Sequence, residues 1–183
     1  SFTVARGIVE AADRGADVIN LSLGSDTSSQ VLQNAVAYAR EKGSLVIAAV
    51  GNDGTRGVTF PARYEGVVGV TSVDAKGRQS SFANYGDEVD IAAPGVDVYT
   101  AWSGDDLVSF SGTSSSAGFV SGALAAEISR NPGMTSEQVV DLLYEYANEA
   151  EKPGPDILTG KGILNVGRIE NRKVQGIQDA AVV

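Results

Sequence analysis

The 183-residue sequence contains no cysteine and no histidine, and only five prolines, one methionine and one tryptophan. The missing cysteine excludes a disulfide framework, a thiolate metal site and a cysteine nucleophile. The missing histidine removes the commonest metal ligand and the commonest general base. Basic residues are also scarce: 14 Lys and Arg stand against 23 Asp and Glu, for a formal net charge of −9. No Lys/Arg stripe is present to neutralise phosphates, so no nucleic-acid partner is expected.

What is present suits one globular domain: 43% of the residues are hydrophobic, and the length is enough to bury a core. The longest uncharged run covers 107–126 (LVSFSGTSSSAGFVSGALAA), which is spanning length for a membrane helix. Half of it is polar or glycine, with seven Ser/Thr and three Gly, and those hydroxyls would be costly in lipid. No membrane span is expected. The first 15 residues carry acids and no long apolar core, unlike a signal peptide.

Along the chain, helical and strand patterns alternate. Helical spacing covers 3–14, 30–42, about 115–130, and a stretch opened by Thr135 and Gln138 in a capping-box arrangement. Short apolar strands are expected at 17–24, 44–50, 67–74 and 89–95, and 97–102 with 107–111 as a hairpin around SGDD. This order implies an α/β fold: a mainly parallel central sheet with helices on both faces. The third helix carries Ala117, Gly118, Ser121, Gly122, Ala125 and Ala126, a stripe of small residues expected to be buried against the sheet. The segment after Val166 has no clear period and is expected to be a linker or a docked terminus.

In open α/β sheets, ligands sit beyond the carboxyl ends of the strands. Three polar, Gly-bearing segments are expected there: Ser22-Leu23-Gly24, Gly51-Asn52-Asp53-Gly54 and Gly112-Thr113-Ser114. Ser114 sits where a helix begins, beside unpaired N–H groups and the positive end of the helix dipole. Position alone makes it an ordinary N-cap or a nucleophile whose oxyanion is held by its own N–H and a further donor. Asn52 is either a turn residue or that donor.

Other patterns fail. GPDILTGKG (154–162) has five residues between its glycines where a phosphate loop has four, and Gly162 replaces the Ser/Thr that a metal needs. The sequon Asn20-Leu21-Ser22 falls in an expected buried strand. Asp87, Glu88 and Asp90 lack the spacing of a calcium loop.

Six segments, VINLSLG (18–24), AAVGNDG (48–54), FPARY (60–64), FANYGDEVDIAAPG (82–95), SGTSSSAGFVSG (111–122) and TGKGILNV (159–166), together resemble the subtilisin-like serine proteases. The resemblance runs from residue 1 to about 170, as the C-terminal two-thirds of a catalytic domain, with 171–183 as a tail or linker. It implies a sheet that is incomplete at its N-terminal side. It implies a serine endopeptidase working through a Ser acyl-enzyme, with Ser114 as nucleophile and Asn52 as oxyanion-hole side chain. Ser22, Leu23 and Gly24 would pair with an extended peptide or protein substrate and form one wall of the S1 pocket. Ala48, Ala49, Val50 and Gly51 would form the other, with Thr59 at the base and a large uncharged P1 side chain preferred. The chemistry needs no cofactor. The backbone carbonyls of Ala62, Tyr64 and Val67 match a weak cation site, so a structural calcium or other cation is an expectation. Secretion or an extracytoplasmic location is the family habit.

Two departures stand out. The family's catalytic Asp and His come from segments upstream of the helix that opens this chain, so the chain alone is expected to be inactive. The family's Pro-His pair after the nucleophile is replaced here by Gly118 and Phe119. The alternative reading is a catalytically dead module that binds extended peptides by strand pairing along Ser22–Gly24. An incomplete sheet also predicts exposed apolar surface or self-association.

Overall fold

The structure is a computed structural model and describes residues 1–150 and 153–172. Helix α1 (Phe2–Asp13) turns Ala5, Ile8 and Ala12 inward and gives way to Gly15 at φ 77°. Strand β1 (Val18–Leu21) follows, then α2 (Gln30–Glu41), whose N-cap Ser29 accepts a hydrogen bond from the Leu32 N–H. Strands β2 (Leu45–Ala49), β3 (Val67–Val73) and β4 (Ile91–Pro94) complete a four-stranded sheet of order β1-β2-β3-β4. All three pairings are parallel, with Leu21 opposite Ala48, Ala49 opposite Val70 and Val73 opposite Pro94.

Strand alternation sorts the core into two layers. Val46, Ala48 and Val50 join Ile8 and Val36 on the α1/α2 side. Ile47, Ala49, Val70 and Ile91 face α3 (Thr113–Arg130) and α4 (Ser136–Glu145) on the other. Both sheet faces are covered, which is why these strands read as continuous apolar runs. The capping box of α4 is present in full, with Thr135 and Gln138 bonding each other's backbone N–H.

Four particulars differ from expectation. The expected hairpin is present, with strands β5 (Val98–Ala101) and β6 (Leu107–Phe110) paired antiparallel, but it stands apart from the parallel sheet. Gly112–Ser114 therefore reaches the rim as the start of α3, not as the end of a sheet strand. Second, the small-residue stripe of α3 is only partly buried. Ala117, Val120, Ser121 and Leu124 face the sheet, whereas Gly118, Gly122 and Ala125 are exposed. Third, Asn20 is exposed on β1, donating to Ser22 Oγ at 3.0 Å and accepting from Ser121 Oγ at 3.0 Å. The reason is positional: β1 is the sheet edge, so its alternate side chains escape the core. Fourth, 166–172 is helical although no period marked it, and of the two alternatives it is the docked one. Ile169 is buried, and Arg172 reaches the buried carboxylate of Glu127 at 2.7 Å. The expected tail lies outside the described residues from 173 onward.

Candidate active site

The carboxyl ends of β1 and β2 meet the start of α3 on one rim. Helix α3 is seated there by the end of β4: the Gly112 N–H donates to Gly95 O at 2.8 Å, and Ser116 Oγ to Ala93 O at 3.0 Å. The N-cap of α3 is Gly112, with no side-chain cap, so Ser114 lies inside the first turn and does no capping. Among the described residues its N–H has no acceptor, as expected of a first-turn donor. Its Oγ donates to Ser22 O at 3.4 Å, and Ser22 Oγ donates to Ser114 O at 3.0 Å.

Asn52 extends toward the same point from the loop after β2. Its Oδ1 accepts from the Thr113 N–H and from Thr113 Oγ1, both at 2.9 Å. An acceptor oxygen held by two donors fixes which way the amide faces. The Nδ2 group is left without an acceptor among the described residues. Two free donors, Ser114 N–H and Asn52 Nδ2, thus share a rim with the Ser114 hydroxyl. Thr113 is fully buried and was not singled out by the sequence; its place between a helix-opening Gly and Ser was the available signal.

A cleft of about 220 Å³ opens beside them. Ser22, Leu23, Gly24, Ala49, Gly51 and Thr59 line it, together with Asn52, Asp53, Thr113 and Ser114. Ala48 and Val50 are not in its lining: the pleat turns them into the α1/α2 core. Gly24 has a steric reason to be glycine, since a Cβ there would stand 2.3 Å from Thr59 Oγ1. Thr59 is fixed in turn, its N–H and Oγ1 donating to Val50 O at 3.0 and 3.2 Å. Backbone bonds between Ser25 and Phe60, 2.8 and 2.9 Å, hold the two walls together.

Ser114 also borders a second, wider groove of about 790 Å³. Gly118, Gly122 and Phe119 line it from α3, and Tyr99 and Trp102 from the hairpin. Tyr99 is 78% exposed and Trp102 62%. No histidine exists to accept the Ser114 proton, and among the described residues Ser22 O is the only acceptor for its hydroxyl.

Ala62, Tyr64 and Val67 lie on the turn that enters β3. Tyr64 O already accepts from the Val67 N–H at 3.2 Å, and Arg40 Nη1 donates to the neighbouring Glu65 O at 3.3 Å. Among the described residues no group of three or more Asp or Glu has the arrangement of a metal site.

The Subtilase family matches residues 1–162 of this chain. The chain belongs to that family. A thermostable alkaline protease of Halalkalibacterium halodurans is 40% identical over 166 residues, covering 91% of this chain and 45% of that protein. Subtilisin DY of Bacillus licheniformis is 36% identical over 167 residues, 89% of this chain and 60% of its own. Among solved structures, the self-cleaved protease domain of PatA superposes with a TM-score of 0.83 at 31% identity, covering 96% of this chain and 68% of that one. This subtilase chain therefore spans about half the length of the curated relatives it matches. The four-stranded parallel sheet and flanking helices are the subtilisin-like fold.

Proposed function

We propose that this chain is the nucleophile- and oxyanion-bearing part of a subtilisin-like serine endopeptidase. The observation that carries the reading is the Asn52 amide: Thr113 holds its oxygen, so Nδ2 is the donor left free in the cleft that Asn52 and Ser114 both line. A substrate strand pairs along Ser22–Gly24 and places its P1 side chain above Thr59, in a cleft whose lining is uncharged apart from Asp53, where a large uncharged residue is favoured. Ser114 Oγ attacks the peptide carbonyl while a base takes its proton. The oxyanion forms between Ser114 N–H and Asn52 Nδ2, the amine leaves with the proton returned, and water then hydrolyses the acyl-enzyme.

The base is not in this sequence, which has no histidine. Hydrolysis therefore requires a polypeptide that adds the Asp- and His-bearing segments of a subtilase. In such a His-bearing form, a fluorophosphonate should label Ser114, and Ser114→Ala should abolish labelling. A folded protein that is not labelled would move the assignment to the peptide-binding module. For the chain by itself, Ser114-dependent peptide hydrolysis would sink the expectation of inactivity.

The second reading is favoured by one observation: the Ser114 hydroxyl is spent on Ser22 O. A module of that kind binds extended peptides with an affinity that Ser114→Ala leaves unchanged.

The partner in both readings is an extended peptide or protein. Self-association is a further part of the proposal: the outer edge of β1 has no strand partner among the described residues, and the hairpin aromatics beside it are exposed. A stable monomer in sedimentation would count against it. Among the described residues no helix is long and apolar enough to cross a membrane. Family resemblance supports an extracytoplasmic location. A structural cation at the carbonyls of Ala62, Tyr64 and Val67 has no part in the chemistry. The Arg40 guanidinium beside that turn opposes it, so the site does not fit a tightly held ion.

A further inference from the structure

We infer that Asn84 is a positioning residue for the oxyanion donor, an inference that rests on the role proposed for Asn52. Asn52 is exposed and sits in a loop rich in glycine, yet an oxyanion donor has to be held to within about 0.5 Å. Thr113 orients the tip of its side chain and reaches one flanking peptide only through a long Oγ1 bond to Gly51 O at 3.4 Å; it does not hold both. Asn84 does, from the loop between β3 and β4, where it is 1% exposed.

Every polar group of Asn84 that the structure pairs with another residue is turned on the loop 51–57. Its backbone N–H donates to Gly51 O at 3.0 Å, and its Oδ1 accepts from the Asp53 N–H at 2.8 Å. Both peptide units that flank Asn52 are therefore tied to one residue. The same Oδ1 accepts from the Thr55 N–H at 3.4 Å, and Nδ2 donates to Gly57 O at 3.1 Å and to Asp53 Oδ2 at 3.5 Å. Gly51 has φ 112°, and a Cβ there would stand 2.4 Å from Asn84 Nδ2. Glycine at 51 thus lets the Asn84 amide lie against the chain at the residue before the donor. Neighbours extend the clasp, with the Gly54 N–H on Phe82 O at 2.7 Å and the Tyr85 N–H on Thr55 O at 3.1 Å. Asn84 itself does not line the cleft, so it acts through the loop that carries Asn52.

The test uses ¹⁵N relaxation of the Asn52 side-chain amide in the chain itself, assigned by its loss in Asn52→Ala. The wild-type amide should be as rigid as the sheet, with an order parameter of about 0.85, and Asn84→Ala should drop it below about 0.6. Unchanged backbone signals from β2 and β3 would show that the variant is folded. Asn84→Asp keeps the acceptor for the Asp53 N–H but sets a carboxylate against Gly57 O and Asp53. It should loosen Asn52 at neutral pH and restore it once the introduced carboxyl is protonated, a pH dependence that mere loop packing does not produce. An Asn52 amide that stays rigid in both variants would overturn the inference. A turnover cycle in the His-bearing form separates the two readings. Asn84→Ala should cost about 10- to 100-fold in kcat with KM little changed, and nothing further in an Asn52→Ala background. Additive losses would refute positioning, whereas an Asn52→Ala variant of unchanged kcat would refute the oxyanion role and leave the relaxation result standing.

Discussion

Asn52 Oδ1 is 2.9 Å from both the backbone nitrogen and the hydroxyl of Thr113, a residue on a different element 61 positions away. The contact joins the β2 loop to the first turn of α3 and decides which end of the amide is left free to donate. Replacing Asn52 by Ala in a His-bearing form should cost about 10²–10³ in kcat, the magnitude known for the corresponding donor in subtilisin itself, a member of this family. Thr113→Val keeps the N–H bond and loses only the hydroxyl bond. A drop of about fivefold in kcat is expected, in line with one hydrogen bond of about 1 kcal/mol. Steady-state kinetics on a neutral peptide ester would measure both, and a Thr113→Val loss equal to that of Asn52→Ala would mean that the hydroxyl alone fixes the amide.

Gly24 and Thr59 set the width of the proposed P1 cleft. Gly24→Ala places a methyl 2.3 Å from Thr59 Oγ1, which neither residue can absorb without moving its wall. Binding of a peptide with a large P1 residue should weaken by roughly tenfold or more, the effect of overpacking by about 1–3 kcal/mol. Thr59→Ala should rescue much of that loss by making room. Fluorescence anisotropy of a labelled peptide reads both steps on the chain alone, and a Gly24→Ala variant with full affinity would place P1 elsewhere.

The layers of the fold were legible because apolar spacing and helix stops are local signals. Val139, Leu142, Leu143 and Tyr146 mark α4, and Thr135 with Gln138 marks its start. The stripe Gly118–Gly122 misled, because small residues permit close packing but do not require it. The face that meets the sheet keeps Ala117 and Ser121 from the stripe but completes itself with Val120 and Leu124. Ser114 and Asn52 could be placed on one rim from sequence because Asn52 follows the apolar run of β2 and Ser114 opens the small-residue helix α3. Thr113 and Asn84 were not, since their work is done by hydrogen bonds to residues far away in sequence. Ala48 and Val50 are a question of pleat: a backbone run that follows a cleft presents only every second side chain to it.

Glu127 links α3 to the helical segment over 166–172. Burial pushes its carboxyl up, but Arg130, Arg172 and Asn131 outweigh burial and hold it below the ordinary 4.5. A lowered folded pKa stabilises above the unfolded value and loses that contribution as pH falls through the folded one. Stability should therefore decline with acid below about pH 4.5, and Glu127→Gln should flatten that slope while lowering Tm at pH 7. Thermal melts between pH 3 and 7 (range set by about one to two units around a carboxylate) would show it. Equal slopes in the two proteins would mean that the segment is not held by this charge.

Asp90 has the opposite sign. Burial raises its carboxyl above the ordinary 3.8, against the pull of the Gly69 N–H at 2.8 Å and of Lys161. A raised folded pKa means that the charged form costs stability at neutral pH, and that the cost is relieved as pH falls through the folded value. Asn at this position keeps an oxygen for the Gly69 N–H and removes the charge. Asp90→Asn should raise Tm at pH 7, with the advantage shrinking as the wild-type carboxyl takes up its proton. Melts of the two proteins at pH 7 and near the carboxyl's own titration would decide the matter. A lower Tm for the variant at pH 7 would mean that the attraction between Asp90 and Lys161 exceeds the cost of burying the charge.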